Sequence, residues 1–447
     1  MRLLIRMLVV LVMTLAILVP LAMIRGTIHE RQAYRQEAVA AVARSYAGAQ
    51  AISGPVLVVP YVETVETEEK DAQGLVRKVL REQEGRWTFF PAALDIAGRL
   101  QPDIRRRGIH EVRTYELHGV VRASFEALVP QGTPASRART IGTPWLEYGI
   151  ADVRGLVGTP KLSIDGAPLR IEQGVHAGQG IHGRLPVPAA GGTIRLQARL
   201  DFVLAGTESL AFVPLGTTNH FAIESTWPHP QFTGSFLPRD RSIGDAGFHA
   251  SWDISSLATN AQRQYLRGRS VVSADANSAD AGSKPAGVDA VGVSLVDPVN
   301  IYTQADRASK YGLLFVLLTF AGFFMFELMK QLPIHPIQYG LVGLALAIFF
   351  LLLVSLSEHI AFPSAYLASS AACIGLLGIY LSAVLRSARR GIGFAAMLAL
   401  LYAALYGLLV SEDNALVLGA GLLFVILAAA MLVTRRIDRY QLGRNAP

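Results

Sequence analysis

The chain has 447 residues, of which 51% are apolar and 17% are charged, and its mean hydropathy is +0.37. Soluble domains carry about 25% charged residues, so this composition favours a membrane protein. It excludes collagen-like and disordered chains, and the single cysteine excludes a disulfide-rich scaffold. The net charge of +7 does not form a basic surface interleaved with aromatic residues, so nucleic-acid binding is not expected.

The N-terminal segment is predicted to be a membrane anchor. Its apolar run, Met7–Ile24, lies between Arg6 and Arg25 and has nearly the 20 or so residues that a spanning helix needs. The run ends in a poor signal-peptidase site, so residues 1–25 are predicted to remain as an anchor. Residues 26–51 alternate charged and apolar side chains and are predicted to continue it as a helical stem, which the Ser53-Gly54-Pro55 turn would end.

Residues 52–308 predict a large antiparallel β-sandwich-like domain, because short alternating runs recur between Gly and Pro residues. The predicted strands are Val56–Val62, Trp87–Pro91, Val112–Leu117, Val120–Leu128, Thr193–Leu204, Ala211–Leu215, Phe248–Ile254 and Val291–Leu295. The third and fourth of these are expected to pair around His118-Gly119. Residues 273–292 are rich in Ala, Asp, Ser and Gly, and this composition predicts a mobile insert.

The C-terminal third predicts a five-helix transmembrane bundle over residues 309–434, followed by a cytoplasmic tail over residues 435–447. The five apolar stretches are Tyr311–Met329, Tyr339–Leu356, Phe362–Leu385, Ile392–Val410 and Ala415–Val433. Basic residues gather in one set of short segments: Arg2, Arg6, Lys330, Arg386, Arg389, Arg390, Arg435, Arg436, Arg439 and Arg444. The positive-inside rule therefore predicts cytoplasmic termini and a periplasmic placement of residues 26–308.

The motifs of the sequence predict no catalytic, cofactor or metal site. The chain has no phosphate-binding glycine loop, no HExxH or CxxC motif and no GxSxG serine. His176 and His182 lie near each other without neighbouring acidic ligands, which favours a solvated loop over residues 174–183. Asp240 and Asp245 resemble a pair of hydrolytic carboxylates, but such pairs also arise by chance in a domain of this size.

Four ionisable residues near the predicted spans are candidate functional residues. Glu327 lies near one end of a span, where an ion pair with Lys330 is the structural alternative. His335 lies between Pro333 and Pro336 in a short turn, where turn geometry is the alternative. Glu358 and His359 end a span on the other side, where they could relay protons or hold a lipid headgroup. Because they are adjacent in sequence, they are not expected to face each other on a helix.

Local motifs in two parts of the chain resemble those of the CreD family of inner-membrane proteins. In the β-rich part they are Ile52-Ser53-Gly54-Pro55, Phe232-Thr233-Gly234-Ser235-Phe236-Leu237-Pro238 and Gly247-Phe248-His249-Ala250-Ser251-Trp252. The most specific stretch is 310–360, which includes His335-Pro336-Ile337-Gln338-Tyr339 and Ser355-Leu356-Ser357-Glu358-His359. The resemblance implies a Gram-negative inner membrane, control by a sensor-kinase pathway, and effects on envelope integrity, colicin tolerance and β-lactam response. It implies no biochemical activity and no catalytic residues.

The function expected from these observations is non-enzymatic support of the cell envelope. The β domain would bind a periplasmic protein or an envelope glycan, and the spans would contact membrane lipids. A transporter or lipid-handling protein that uses the C-terminal bundle is the main alternative, although no inverted repeat is visible. A third and weaker alternative is a periplasmic hydrolase whose active site lies in the β-sandwich. The oligomeric state is left open.

Overall fold

The computed structural model of the chain describes residues 2–70, 76–130, 136–175, 178–188, 192–269, 287–295, 301–330, 335–384 and 387–410, with positions 417, 419–421, 424, 428 and 431. Most of the fifth apolar stretch, the tail over residues 435–447 and most of the insert at 273–292 lie outside these residues. The chain divides into two compact units. One comprises Met1–Arg35 and Val299–Pro447, and the other comprises Gln36–Pro298.

The helices belong mainly to the first unit. They are α1 (Arg2–Ser45), α2 (Ala261–Leu266), α3 (Ile301–Lys310), α4 (Gly312–Lys330), α5 (Pro336–Ser357), α6 (Phe362–Val384) and α7 (Ala388–Val410). Within the described residues, four helices are long and apolar enough to cross a membrane: that of Leu11–Ser45, α5, α6 and α7. A fifth span results if α3 and α4, which meet at an angle of 43°, are counted as one.

The strands all belong to the second unit. They are β1 (Gln50–Lys70), β2 (Val76–Phe89), β3 (Ala93–Arg107), β4 (His110–Leu128), β5 (Ser136–Ile141), β6 (Trp145–Ile150), β7 (Leu156–Ile164), β8 (Ala167–Leu169), β9 (Ile171–Gln173), β10 (Gly180–Arg184), β11 (Thr193–Thr207), β12 (Ser209–Phe212), β13 (Thr218–Ser225), β14 (Gln231–Gly234), β15 (Asp240–Gly244), β16 (Gly247–Ser255) and β17 (Val291–Ser294). They form a nine-stranded sheet and an eight-stranded sheet.

The two sheets share one hydrophobic core, as in a sandwich. The nine-stranded sheet runs β14-β17-β12-β1-β6-β10-β9, with β2 and β5 also paired to β1. The eight-stranded sheet runs β15-β16-β13-β3-β4-β11-β7-β8. Most pairs are antiparallel as predicted, but β1 pairs with β12 and β3 pairs with β13 in parallel. The alternation predicted for Thr193–Leu204 is confirmed, since every second residue of β11 from Leu196 to Leu204 is buried.

The predicted turn at His118-Gly119 is wrong. Both residues lie within β4, which pairs with β3 on one side and β11 on the other. Gly119 lies opposite Phe202, and a Cβ on it would lie 2.5 Å from the Phe202 ring. The glycine therefore marks close packing inside a sheet instead of a reversal of the chain.

The end of the stem also differs from the prediction. α1 runs without a break from the anchor to Ser45, and β1 begins at Gln50, so Gly54 and Pro55 lie inside a strand. Gly54 has φ of +99° at a register shift between β1 and β6, where a Cβ would lie 2.8 Å from the Glu147 carbonyl oxygen. The second apolar stretch, Tyr311–Met329, is helical nearly as predicted, since α4 covers Gly312–Lys330 and the amphipathic α3 precedes it.

Candidate functional site

One face of α1 packs into the helical unit and changes character along its length. Its buried aliphatic residues are Ile17, Leu21, Ile24 and Ile28. Their spacing of four, three and four residues places them on one side of the helix. The same spacing continues to Arg31 and then Arg35. The face that is aliphatic over three turns therefore becomes cationic at its next position.

The partner of this cationic position is Glu358, the residue that follows the end of α5. Its side chain is only 8% exposed. One carboxylate oxygen, Oε1, accepts a hydrogen bond from the Tyr302 hydroxyl at 3.1 Å and lies 3.6 Å from Arg31 Nε. A buried carboxylate without partners would be strongly destabilising, so these two contacts are what allow Glu358 to lie there.

A second acidic group lies on α3 beside the same helix. Asp306 is 3.7 Å from His29 Nε2 and 2.8 Å from Lys310 Nζ. Next to it, Arg25 Nε donates to Ser309 Oγ at 3.2 Å. We call these side chains together the ionic cluster, and its members are Arg25, His29, Arg31, Tyr302, Asp306, Ser309, Lys310 and Glu358. The cluster joins α1, α3 and the end of α5 through their polar groups.

The arrangement is open on its cationic side. The side chains of Arg31 and Lys310 are 42% and 62% exposed, whereas those of Glu358 and Asp306 are 8% and 17% exposed. The acids therefore hold the helices together from within, while the cations keep part of their surface free. Such a surface can contact anionic groups, including lipid phosphates, without breaking the internal pairs.

The structure separates the two neighbouring candidates, Glu358 and His359. Glu358 pairs with Arg31 and Tyr302, as described, and the His359 side chain is exposed in the turn that follows α5. The His359 backbone N–H donates to the Leu356 carbonyl oxygen at 3.0 Å. Glu358 is therefore part of the ionic cluster and His359 is not a member of it.

The other two candidates lie elsewhere in the helical unit. His335 is the N-cap of α5: its Nδ1 accepts from the Ile337 N–H at 3.4 Å, and Gln338 Oε1 accepts from the His335 N–H at 3.1 Å. This reciprocal cap satisfies amide groups that the first turn leaves unpaired, which accounts for His335 structurally. Glu327 lies on α4, and its side chain falls outside the described residues.

The sequence did not predict a role for Arg31, Tyr302 or Asp306. The aliphatic spacing of α1 carries a signal for Arg31, because the seven-residue pattern of Ile17, Leu21, Ile24 and Ile28 reaches it directly. Tyr302 and Asp306 carry no comparable signal, since their partners lie far away in the sequence. Among the described residues, no group of three or more His, Cys, Asp or Glu side chains could hold a metal ion.

These features define a membrane protein with an N-terminal apolar helix, a large β domain and C-terminal apolar helices. The family model described as "Inner membrane protein CreD" matches residues 2–440, and the chain belongs to this family. Inner membrane protein CreD of Escherichia coli (strain K12) is 33% identical over 430 residues, which are 95% of this chain and 91% of the relative. That description states a location and no reaction.

Solved structures give only weak similarity. An M1 zinc metallopeptidase from Deinococcus radiodurans has 13% identity and a TM-score of 0.21, with 37% of this chain and 39% of that chain covered. Yeast LTA4 hydrolase has 8% identity and a TM-score of 0.17, with 52% and 34% covered. This chain thus spans well under half the length of those structures, and their peptidase chemistry carries no argument here.

Proposed function

We propose that the protein supports cell-envelope integrity without catalysing a reaction, by holding a periplasmic binding domain to the inner membrane at both of its ends. The observation that carries this proposal is the ionic cluster. α1 leads into the β domain and α3 leads out of it, and the cluster ties these two helices to each other and to α5. Both connections to the domain would then be fixed at one level of the bundle.

The proposed topology places both termini in the cytoplasm, residues 26–308 in the periplasm and five spans in the C-terminal bundle. Its support is the distribution of basic residues among the short segments between apolar stretches. The ionic cluster would lie at the periplasmic surface, where its exposed cations could contact lipid phosphates. Membrane lipids and a periplasmic protein or envelope glycan remain the proposed partners.

One observation favours the alternative of lipid handling by the bundle. A cavity of about 330 Å³ lies between α5 and α6 and is almost entirely apolar. Its lining includes Leu344, Ile348, Phe349, Leu376 and Tyr380. An acyl chain would suit such a lining, although any lipid-facing groove would have the same chemistry.

The topology can be tested with single cysteines, because the native Cys373 is buried. Leu257→Cys lies in the β domain at a side chain that is 96% exposed, and Ile337→Cys lies in the predicted cytoplasmic turn at 64% exposure. A membrane-impermeant maleimide added to spheroplasts should label the first variant and spare the second until the cells are lysed. Labelling of Ile337→Cys in intact spheroplasts would contradict the proposed orientation.

The function can be tested by dye permeability in a strain that lacks the gene. The wild-type chain should restore the barrier, Glu358→Gln should restore it poorly, and His359→Ala should match the wild type at equal expression. Exchange of the pair, Arg31→Glu with Glu358→Arg, should recover part of the activity, because the ion pair is re-formed. If Glu358→Gln restored the barrier as well as the wild type, the ionic cluster would not be needed for envelope integrity. Loss caused instead by bulky substitutions in the α5–α6 cavity would favour lipid handling.

A further inference from the structure

The β domain holds a pocket that the ionic cluster does not involve. It has a volume of about 350 Å³, at the lower end of the range of small-molecule sites. Its lining residues come from β6, β10 and the loops beside them: Thr143, Trp145, Gly174, Val175, His182 and Arg184. The residues over 174–183 were predicted as a solvated loop, but those from Gly180 onward form β10, which fixes this wall of the pocket.

The Trp145 indole, which lines the pocket, is held in place by a hydrogen bond to a residue that does not line it. Trp145 Nε1 donates to Glu147 Oε2 at 3.1 Å, and the Tyr265 hydroxyl donates to Glu147 Oε1 at 2.7 Å. Glu147 is only 3% exposed. Burial and the neighbouring carboxylate raise the pKa of Tyr265 above its ordinary value, so this hydroxyl keeps its proton and remains a donor. The indole is therefore pre-oriented by contacts that a ligand does not need to supply.

The polar groups of the pocket are fixed by one another. In the sheet register, Arg184 lies opposite Trp145, and His182 lies opposite both Glu147 and Glu172. Arg184 Nε donates to Glu172 Oε2 at 3.2 Å, and His182 Nε2 is 3.5 Å from the same oxygen. His182 Nδ1 donates to the Gly174 carbonyl oxygen at 2.7 Å, since a carbonyl oxygen can only accept.

The chemistry of this lining points to one class of ligand. Arg184 is paired with Glu172, so the charge of the guanidinium is balanced by the neighbouring carboxylate. The pocket lining offers donors from the Arg184 guanidinium and the Thr143 hydroxyl and the ring of an oriented indole, and the Glu172 carboxylate that bonds to Arg184 is an acceptor next to the lining. The ligand that complements these groups carries many hydroxyl groups around a flat apolar face.

We propose that this pocket binds a neutral saccharide ring, which packs against Trp145 and hydrogen-bonds to the Arg184–Glu172 pair. The proposal deepens the binding role given to the β domain above and rests on it only for the periplasmic location. Binding by the purified chain tests the pocket alone, and the spheroplast labelling tests the location alone. Failure of one is therefore distinguishable from failure of the other.

The experiment uses the full-length chain in lipid nanodiscs, because glycoside detergents would compete for the pocket. Ligand-observed NMR titrations with two neutral trisaccharides, chitotriose and maltotriose, measure binding, and inorganic phosphate serves as the anionic probe. The variants are Trp145→Ala, Trp145→Phe and Arg184→Ala. The matched control is Arg195→Ala, which breaks another exposed Arg–Glu pair, Arg195 with Glu126, on the second sheet.

We expect saturable binding of at least one trisaccharide and no binding of phosphate. Trp145→Ala and Arg184→Ala should each weaken it by about tenfold or more, while Arg195→Ala should leave it unchanged. If Trp145→Ala does not fold, Trp145→Phe and Arg184→Ala decide the question. The proposal is overturned if neither trisaccharide binds, if phosphate binds equally well, or if Arg184→Ala and Arg195→Ala behave alike.

Discussion

The helical unit and the β domain satisfy their buried polar side chains in different ways. In the helices, several Ser and Thr hydroxyl groups bond to carbonyl oxygens three or four residues earlier in the same helix: Thr319 to Phe315, Ser357 to Val354, and Ser382 to Gly378. In the β domain, the bonds cross long stretches of sequence. Gln50 Nε2 donates to the carbonyl oxygens of Asp152 and Ala205, both at 2.9 Å.

This difference follows from the surroundings of each unit. A spanning helix has no water to pair with, so a hydroxyl group is safest when its acceptor belongs to the same helix. The helical unit makes its long-range polar contacts in the ionic cluster and in a second group, where the Tyr366 hydroxyl donates to the Tyr402 carbonyl oxygen at 2.7 Å and the Tyr402 hydroxyl donates to Cys373 Sγ at 3.1 Å. A sandwich closes its ends with loops, and buried side chains such as Gln50 and Asn219 pair the backbone groups that loops leave free.

The two units carry separate spectroscopic reporters, which makes the comparison testable. The four tryptophans are Trp87, Trp145, Trp227 and Trp252, and all lie in the unit of Gln36–Pro298. The single thiol, Cys373, is buried among the helices of the other unit. Tryptophan emission therefore follows unfolding of the β domain, and reaction with a thiol-reactive dye follows unfolding of the helices.

The largest effect is expected for Gln50→Leu in the β domain. Gln50 is fully buried, and besides its two donor bonds its Oε1 accepts from the Asp152 N–H at 3.1 Å. Leucine would remove three hydrogen bonds to buried backbone groups and leave the Asp152 N–H without this acceptor, while the Asp152 carbonyl oxygen keeps the Gly155 N–H as a donor. At roughly 1 kcal/mol per bond, a cost of about 3 kcal/mol is expected. The transition followed by tryptophan should move to lower temperature. Gln101→Leu, at an exposed position of β3, is the control, and equal melting of both variants would contradict this account.

The next effect is expected for Gly343→Leu in the helices. A Cβ on Gly343 would lie 2.6 Å from Ile17 Cγ1 and 2.8 Å from Phe320, whereas a Cβ on Gly375 would meet nothing within 4 Å. Overpacking at Gly343 should destabilise the unit by about 2 to 3 kcal/mol. Dye reaction at Cys373 should begin at a lower temperature for Gly343→Leu than for the control, Gly375→Leu. Similar behaviour of the two would show that α1 does not pack closely on α5.

Glu358→Gln should give a smaller loss in the same unit. The amide keeps an acceptor for Tyr302 but loses the attraction to Arg31, which is partly exposed, so about 1 to 2 kcal/mol is expected. Glu30→Gln is the matched control, because exposed Glu30 also accepts a tyrosine hydroxyl, that of Tyr34, at 2.9 Å. An equal shift in both variants, again read at Cys373, would mean that burial of Glu358 adds nothing.

The smallest effect concerns acid. The Arg154 guanidinium lowers the pKa of Asp152, whose carboxylate accepts from the Gly48 N–H at 3.0 Å. A lowered pKa adds stability above the ordinary pKa of aspartate, and this is lost as pH falls through the lowered value. Hydrogen exchange at Gly48, corrected for its intrinsic rate, should therefore rise by about twofold to fivefold between pH 6 and pH 3. Asp152→Asn should exchange faster at pH 6 and respond less to acid, and an unchanged response would contradict the role of Asp152.

Much of the fold could be predicted from local patterns, and the exceptions share a cause. The alternation in β11 depends only on which face is buried, so the sequence carries it directly. Gly119 and Gly54 were interpreted as turn residues, but each instead accommodates a close neighbour from another strand. A glycine in a sequence indicates that a neighbouring group lies too close for a Cβ or that φ is positive. The sequence does not show which element of the fold contributes that neighbouring group.

The candidate site shows the same limit. Glu358 was identified because an ionisable residue at the end of an apolar run is unusual. Its partners, Arg31 and Tyr302, lie 327 and 56 residues away in the sequence, so their proximity depends on the packing of three helices. Arg31 could have been found by extending the aliphatic pattern of α1 past Ile28. Tyr302 could not, because α3 is short and its neighbours carry no such pattern.

The change along α1 from aliphatic to cationic side chains also sets the axial position of this helix. A slide of one turn, about 5.4 Å, would bring an aliphatic residue such as Ile28 to the level of Glu358 and leave the buried carboxylate facing a hydrocarbon side chain. The contact between Arg31 and Glu358 therefore fixes the axial position of α1 relative to α5 as well as its rotation. A bilayer of different thickness would then be accommodated by tilt of the helices together or by deformation of the lipid, and not by sliding of the anchor.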